Sequence, residues 1–124
     1  MSPNVTRYTD IVDPNNFYTH RKPIIQRLEK KLNARVIVYV TSPFHPLPEI
    51  MIQDIPLFED LLRSVVGTDV GYLILNSPGG DANVAEKMLL MCRQRFSKGF
   101  DVIVPDFAKS AATMIALGSD KILM

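Results

Sequence analysis

Residues 73–81 have the sequence Leu-Ile-Leu-Asn-Ser-Pro-Gly-Gly-Asp and join two different patterns of apolar residues. The apolar run from Gly71 to Leu75 predicts a buried β-strand, and an amphipathic helical pattern begins directly after Gly80. Two adjacent glycines put no Cβ atoms in the way, so their backbone N–H groups can face a cavity. The N-terminus of the next helix adds partial positive charge. The turn therefore predicts a site for a phosphate, a carboxylate or the oxyanion of an acyl-transfer intermediate.

Predicted strands and helices alternate on both sides of this turn, which favours an α/β domain with a mainly parallel sheet and flanking helices. The strands are predicted at residues 35–41, 71–75, 100–105 and 121–124. The helices are predicted at residues 23–33, 56–67, 81–96 and 110–118. We expect Pro23 to lie in the first turn of its helix, after an irregular N-terminal arm. We expect the strand at 35–41 to be buried on both faces, and the helix at 110–118 to be buried all round.

The helix predicted at 81–96 carries the clearest apolar stripe, formed by Ala85, Met88, Leu89, Cys92 and Phe96. Cys92 lies on that stripe and is interpreted as a small core residue. The proline-rich segment 42–48 leaves the end of a predicted parallel strand, where active-site loops often lie. Its His45 is a candidate for that reason, although an exposed loop histidine is the better interpretation.

Composition and charge exclude several classes of protein. The chain has 124 residues, 22% of them charged, and a net charge of +1, so there is no basic surface for nucleic acid. No apolar run is long enough to span a bilayer. The basic residues in the helix at 23–33 leave peripheral membrane association open, but a solvated helix face is the commoner explanation. The single cysteine predicts a cytoplasmic protein. One cysteine and two isolated histidines make a poor set of metal ligands, so we predict no metal site and no cofactor.

Ser110 and the glycine pair each follow the end of a predicted parallel strand, and each precedes a helix. If the two strands are neighbours, the N–H of Gly79 or Gly80 and the N–H of Ala111 converge on one point beside the Ser110 hydroxyl. Such an arrangement serves acyl transfer, in which a hydroxyl attacks a carbonyl and two backbone donors hold the oxyanion. A simpler interpretation stays open: Ser110 only caps its helix, and the glycines only form a turn.

Residues 74–81 resemble the Ser-Pro-Gly-Gly signature of the Clp protease and crotonase superfamily. Residues 108–116, Ala-Lys-Ser-Ala-Ala-Thr-Met-Ile-Ala, follow about thirty residues later, as in the serine peptidases of that superfamily rather than its acyl-CoA enzymes. The nearest resemblance is to the prokaryotic serine dehydrogenase proteinases, relatives of signal-peptide peptidases. It extends over about residues 35–124 and leaves residues 1–34 as an N-terminal arm and helix.

The resemblance implies a crotonase-like sheet, present here as the N-terminal part of an incomplete domain, and a serine endopeptidase activity. It implies that Ser110 is the nucleophile and that the N–H groups of Gly80 (or Gly79) and Ala111 form the oxyanion hole. It also implies a protein or peptide substrate, membrane proteins included, and a homo-oligomer. The chain departs from the family pattern at two positions. Lys109 is not the usual residue before the nucleophile, and Ala112 stands where the family usually has glycine.

The general base is missing from the pattern. No histidine follows Ser110, and the only later lysine is Lys121, whose position is more typical of an exposed flank. We therefore expect a base lysine or histidine beyond residue 124 and an inactive chain without it. Two alternatives remain, a crotonase-like acyl-CoA-binding enzyme and a non-catalytic oligomerisation or binding module. Gly80→Ala should lower catalysis far more than folding, because a methyl group there would crowd the acyl oxygen or rotate the N–H away from it. At a negative φ the substitution alone could even stabilise the fold.

Overall fold

The computed structural model describes residues 17–41 and 49–124, so residues 1–16 of the predicted arm and His45 lie outside the described residues. The chain divides into two compact units, Met1–Asn33 and Ala34–Met124. The helices are α1 (Phe17–Leu32), α2 (Asp54–Ser64), α3 (Ala82–Arg95) and α4 (Ala111–Leu117). The strands are β1 (Arg35–Val40), β2 (Val70–Asn76), β3 (Gly99–Ile103) and β4 (Ile122–Leu123).

The second unit contains a four-stranded parallel sheet whose strands follow the chain in the order β1-β2-β3-β4. Each connection between neighbouring strands carries one helix, as parallel strands require. α2 packs against α3, and α3 packs against α4, so the three helices form one layer. The predicted α/β class with a parallel sheet and flanking helices is confirmed.

The core lies between that helix layer and one face of the sheet. Side chains along β2 alternate between buried and half-buried, and Leu73 and Leu75 are fully buried on the helix side. The stripe predicted on α3 is confirmed, with four of its members buried and Leu89 partly buried against them. Phe96 lies directly over Gly71, where any larger residue would meet its ring. This close approach explains why β2 has a glycine within its apolar run.

The prediction of complete burial is wrong for two elements. In β1 the side chain of Val40 is 55% exposed. In α4 the side chains of Met114 and Leu117 are 42% and 71% exposed. Its alanines pack inward instead, so α4 is buried on one face only. Apolar composition alone does not distinguish a helix buried all round from one with an apolar outer face.

The predicted start of the first helix is also wrong. α1 begins at Phe17, and Pro23 lies inside it rather than in its first turn. Proline lacks the N–H that would bond to the carbonyl four residues earlier, so it normally favours a helix start. The described apolar positions Ile24 and Leu28 are four residues apart, as on one face of a helix that continues past the proline. Among the described residues, no helix is long and apolar enough to cross a membrane.

Asp120 joins β3 to the segment between α4 and β4. Its carboxylate accepts hydrogen bonds from the Phe100 N–H, at 2.9 Å, and from the Arg93 guanidinium, at 2.7 Å. Its own N–H donates to the Phe100 carbonyl at 2.7 Å. The Phe100 N–H and then Arg93 hold the pKa of the Asp120 carboxyl below its usual value of 3.8. The carboxylate therefore helps to set the register of the short strand β4.

We expect Asp120→Asn to lower the free energy of unfolding at neutral pH. The folded-state pKa of Asp120 lies below the unfolded-state value, so its stabilisation is present above about pH 4 and is lost as pH falls through the folded-state pKa. The difference between wild type and variant in urea midpoint should therefore shrink from pH 7 to pH 3. Asp60→Asn is the control, since that exposed carboxylate has no hydrogen-bond partner among the described residues. A difference that stays constant with pH would contradict the role of the carboxylate charge.

The thiol of Cys92 should react very slowly in the folded protein. It is fully buried on α3, and burial raises the pKa of its thiol to about 12. We expect an aromatic disulfide reagent at pH 8 to react about a hundredfold or more slowly with native protein than with protein in urea. Because the chain has one cysteine, the reaction reports on one site. A rapid reaction with native protein would mean that the core around α3 opens easily.

Candidate active site

The Ser-Pro-Gly-Gly turn continues β2 beyond its last regular residue and is paired with the segment that follows β3. Ser77 forms an isolated parallel bridge with Ala108. The Ser77 N–H donates to the Phe107 carbonyl at 3.1 Å, and the Lys109 N–H donates to the Ser77 carbonyl at 3.0 Å. The segment leading to Ser110 is therefore held against the turn by backbone hydrogen bonds.

On its other side the turn is paired with Ile50. The Ile50 N–H donates to the Gly79 carbonyl at 2.8 Å, and the Asp81 N–H donates to the Ile50 carbonyl at 3.0 Å. These two bonds form a parallel bridge between Ile50 and Gly80. The side chain of Asp81 then accepts from two N–H groups of the first turn of α3 and caps that helix. The glycine turn is consequently fixed at both edges and at its exit.

The segment that carries Ile50 is itself fixed by Asp54, the first residue of α2. The Asp54 carboxylate accepts from the Met51 N–H at 3.2 Å and from the Tyr39 hydroxyl at 2.6 Å. Burial of the Tyr39 ring, with the bond to Asp54, raises the pKa of that hydroxyl well above its usual range. Tyr39 thus stays protonated and connects β1 to the start of α2.

Gly79 and Gly80 are required by two different neighbours. Gly79 has φ +114°, and a Cβ at that position would lie 2.7 Å from Ser110 Cβ and 2.8 Å from the Lys109 carbonyl oxygen. Gly80 has φ +148°, and a Cβ there would overlap the backbone of Ile50. The expectation that Gly80→Ala would affect folding little fits only a negative φ, and the observed φ is positive. Gly80→Ala should therefore disturb the fold as well as any catalysis.

The N–H groups of the two glycines have different partners. The Gly79 N–H donates to Ser77 Oγ at 3.1 Å. The Gly79 carbonyl points at Ile50, and because the peptide bond is trans, the Gly80 N–H points to the opposite side. Within residues 17–41 and 49–124 the Gly80 N–H has no hydrogen-bond partner. Of the two predicted donors in the turn, only Gly80 has an N–H that is available to a ligand.

Ser110 has the most unusual backbone conformation near this turn, with φ +52° and ψ −124°. A non-glycine residue in such a region is strained by about 1–3 kcal/mol, and such strain is concentrated at functional sites. The Ser110 side chain makes no capping hydrogen bond to α4, so the simple capping interpretation is wrong. The residue is exposed, and its hydroxyl has no partner in the described part of the chain.

Ala111 follows as the first residue of α4, and its side chain is buried. Its nitrogen lies 3.3 Å from the position that a Cβ on Gly79 would occupy. Neither Ala111 nor Gly80 uses its N–H in a hydrogen bond among the described residues. The structure therefore brings Ser110, Ala111 and the glycine turn together at the carboxyl edge of the sheet.

The two lysines considered for this site are placed differently. Lys109 Nζ lies 5.5 Å from the centroid of the Phe107 ring, an arrangement typical of a cation–π contact. Lys121 is exposed immediately before β4. Neither is a hydrogen-bond partner of the Ser110 hydroxyl. Over the described residues, no three His, Cys, Asp or Glu side chains lie close enough together to hold a metal ion.

The sequence analysis missed three polar residues that shape the site. Asn76 Oδ1 accepts from the Asp106 N–H at 3.1 Å and the Phe107 N–H at 2.9 Å, which positions the segment before Ser110. Thr41 Oγ1 donates to Ser77 Oγ at 2.5 Å. The available signal was that a polar residue ends each of the apolar strands β1 and β2 on the edge that carries the glycine turn.

Comparison with known proteins gives a distant relative. The chain is 29% identical over 111 residues to an uncharacterized protein of Methanocaldococcus jannaschii. The alignment covers 81% of this chain and 36% of that protein, so the chain spans well under half of the relative's length. No protein-family model matches the sequence. Since the relative is uncharacterized, a function has to be inferred from the geometry of the site.

We expect Gly79→Ala and Gly80→Ala each to lower the free energy of unfolding by about 1–3 kcal/mol, because both combine a positive φ with a close neighbour. Gly99→Ala is the matched control, since its Cβ would meet only Val70 methyl carbons at 3.6 Å or more. That control should change stability by about 0.5 kcal/mol or less. Urea unfolding measures all three. Equal urea midpoints for Gly80→Ala and Gly99→Ala would show that the turn accommodates a side chain at residue 80 without loss of stability.

Proposed function

We propose that this chain carries the nucleophile and the oxyanion-binding groups of a serine-type peptidase. The observation that carries the proposal is the strained conformation of Ser110. Its exposed hydroxyl has no hydrogen-bond partner among the described residues, and it lies beside two backbone donors that those residues also leave unused. A serine that only supports the fold has no need of such strain, because a relaxed residue would serve equally well. A sharp strand-to-helix turn that exposes a hydroxyl is also how other serine hydrolases present their nucleophile.

In the proposed reaction Ser110 Oγ attacks the carbonyl carbon of a peptide bond. The carbonyl oxygen becomes an oxyanion and accepts hydrogen bonds from the N–H groups of Gly80 and Ala111. The serine proton passes to a general base, which returns it to the amine as the C–N bond breaks. Water then hydrolyses the acyl-enzyme and regenerates the Ser110 hydroxyl.

The general base is proposed to come from outside the described residues. Ser110 has no side-chain partner in residues 21–41 and 49–124, and a base has to lie within hydrogen-bond reach of the nucleophile. A lysine or a histidine supplied from elsewhere would complete the site. Without it, the oxyanion donors alone still favour attack at Ser110, although weakly.

The fold supports a crotonase-like architecture for this proposal. All four strands are parallel and follow the chain in order, with the glycine turn and Ser110 at the ends of neighbouring strands β2 and β3. The resemblance to serine dehydrogenase proteinases adds the substrate class, a protein or peptide that includes membrane proteins. A homo-oligomer, a cytoplasmic location and peripheral membrane association come from the same sequence-level reasoning and remain predictions.

Without the base we expect little fluorophosphonate labelling of this chain, but the labelling that does occur should be at Ser110 and should be faster in the folded protein than in urea, because two oriented N–H donors stabilise the adduct. Imidazole in solution should accelerate labelling by acting as the missing base. Peptide mapping locates the adduct, and Ser110→Ala should abolish it. Ser97→Ala is the control, since Ser97 is another exposed serine in a turn. The chain alone should not digest casein.

Two results would overturn the proposal. Labelling that persists in Ser110→Ala would place the reactive group elsewhere, and equal labelling in native and unfolded protein would mean that Ser110 is not activated. The alternatives make different predictions. An acyl-CoA enzyme should bind coenzyme A as well in Ser110→Ala as in wild type, because its oxyanion site does not need the hydroxyl. A non-catalytic module should show neither labelling nor coenzyme A binding.

A further inference from the structure

We infer that Thr41 and Ser77 are positioning residues that set the orientation of the Gly79–Gly80 peptide. The kinetic part of this inference rests on the proposed function, whereas its structural part does not. Neither side chain is proposed to touch the substrate. They act through the backbone N–H that the turn presents to it.

The two hydroxyls form a chain of hydrogen bonds that ends on the turn. Thr41 Oγ1 donates to Ser77 Oγ at 2.5 Å, and Ser77 Oγ accepts from the Gly79 N–H at 3.1 Å. A hydroxyl oxygen has two acceptor sites, so both sites of Ser77 Oγ are occupied. Its own proton is left to face the Gly79 carbonyl, 3.5 Å away. The Ser77 hydroxyl is thereby held in one orientation.

Burial makes this arrangement hard to replace. Ser77 is fully buried, and Thr41 is 9% exposed, so a broken hydrogen bond between them is not readily made good by bulk water. The Thr41 backbone is also fixed, because its N–H donates to the Asn76 carbonyl at 2.9 Å. Thr41 thus connects the end of β1 to the point where β2 enters the turn.

The Gly79–Gly80 peptide needs such a restraint because both flanking residues are glycines with positive φ. Glycine has more accessible backbone conformations than other residues, so a peptide between two glycines can rotate at little energetic cost. The Ile50 N–H holds the Gly79 carbonyl, which belongs to this peptide. Ser77 Oγ holds the Gly79 N–H, which belongs to the peptide before it. If the Ser77 hydroxyl turns away, the Gly79 N–H loses its partner, and among the described residues the two backbone bonds with Ile50 are left to direct the Gly80 N–H.

Thr41→Val tests the kinetic part. It keeps the shape of threonine but replaces the donor with a methyl group, which cannot approach Ser77 Oγ to hydrogen-bond distance. We expect the rate of fluorophosphonate labelling at Ser110 to fall about tenfold, because a misaligned donor loses much of its effect. Thr41→Ser restores the hydroxyl and should label within about twofold of wild type. Thr68→Val, which removes a hydroxyl that accepts from the Val70 N–H in another loop, should also leave labelling unchanged.

Amide hydrogen exchange tests the structural part without any catalysis. The chain has six glycines, so ¹⁵N-glycine labelling gives a spectrum simple enough to follow Gly79 and Gly80 individually. In Thr41→Val we expect Gly79 to exchange about tenfold faster than in wild type, while Gly71, within β2, keeps its rate. Thr41→Ser should restore the protection of Gly79. A general loss of stability would instead accelerate Gly71 and Gly79 together.

The outcomes separate this inference from the proposed function. Slower labelling with faster Gly79 exchange in Thr41→Val, both rescued by Thr41→Ser, supports the positioning role. Unchanged Gly79 exchange in Thr41→Val overturns it, whatever the labelling shows. So does slower labelling that Thr68→Val reproduces. If wild type is not labelled even with imidazole present, the proposed function fails, and the exchange of Gly79 alone decides whether Thr41 and Ser77 restrain the turn.

Discussion

The orientation of one peptide group, between Gly79 and Gly80, determines what the carboxyl edge of this sheet can bind. Its carbonyl is held by the Ile50 N–H on one side, and the trans geometry of the peptide then directs the Gly80 N–H to the other side. Asp54, at the start of α2, accepts from the neighbouring Met51 N–H and so helps to hold Ile50 in place. A contact made by α2 is therefore transmitted, through backbone hydrogen bonds, to a donor on the far side of the turn.

The strain at Ser110 is balanced by packing next to it. Ala111 and Ala112 are both buried, and Thr113 Oγ1 bonds back to the Ala108 carbonyl at 2.9 Å, so the first turn of α4 is held on the sheet. Because that turn cannot move outward, Ser110 has to absorb the change of direction between the β3 segment and the helix. The small side chains of α4 matter for the same reason, since larger ones would separate the helix from the glycine turn.

Much of this fold could be predicted because its strongest signals are patterns of apolar residues. The apolar run of β2 and the periodic stripe on α3 gave both elements to within one or two residues, and Asp81 marked the start of α3. The start of α1 was mispredicted at Pro23, because a proline favours the first turn of a helix but does not prevent the helix from starting earlier. The exposure of Met114 and Leu117 depends on which face of α4 meets the sheet, and a uniformly apolar helix carries no periodic signal to show that.

The candidate site was predicted in its residues but not in its geometry. Strand–turn–helix junctions at Gly80 and Ser110 indicated where ligands could bind. Such junctions lie at the carboxyl edge of a parallel sheet, where ligands of open α/β sheets bind. The choice between Gly79 and Gly80 as donor depended on Ser77, whose hydroxyl takes the Gly79 N–H. That contact joins residues two positions apart, yet it is set by Thr41, thirty-six residues earlier in the chain.

The two glycines are therefore not redundant, and their separate constraints explain why the site is built mainly from backbone. Gly79 is needed because Ser110 approaches it, and Gly80 is needed because Ile50 approaches it from the opposite side. Two neighbouring chain segments can come this close to one turn only where it has no side chains. The donors of the proposed oxyanion hole then depend on strand pairing rather than on rotamers, so their orientation does not wait for a substrate. A general base supplied from outside the described residues would meet donors that are already oriented, which is the condition under which electrostatic stabilisation is most effective.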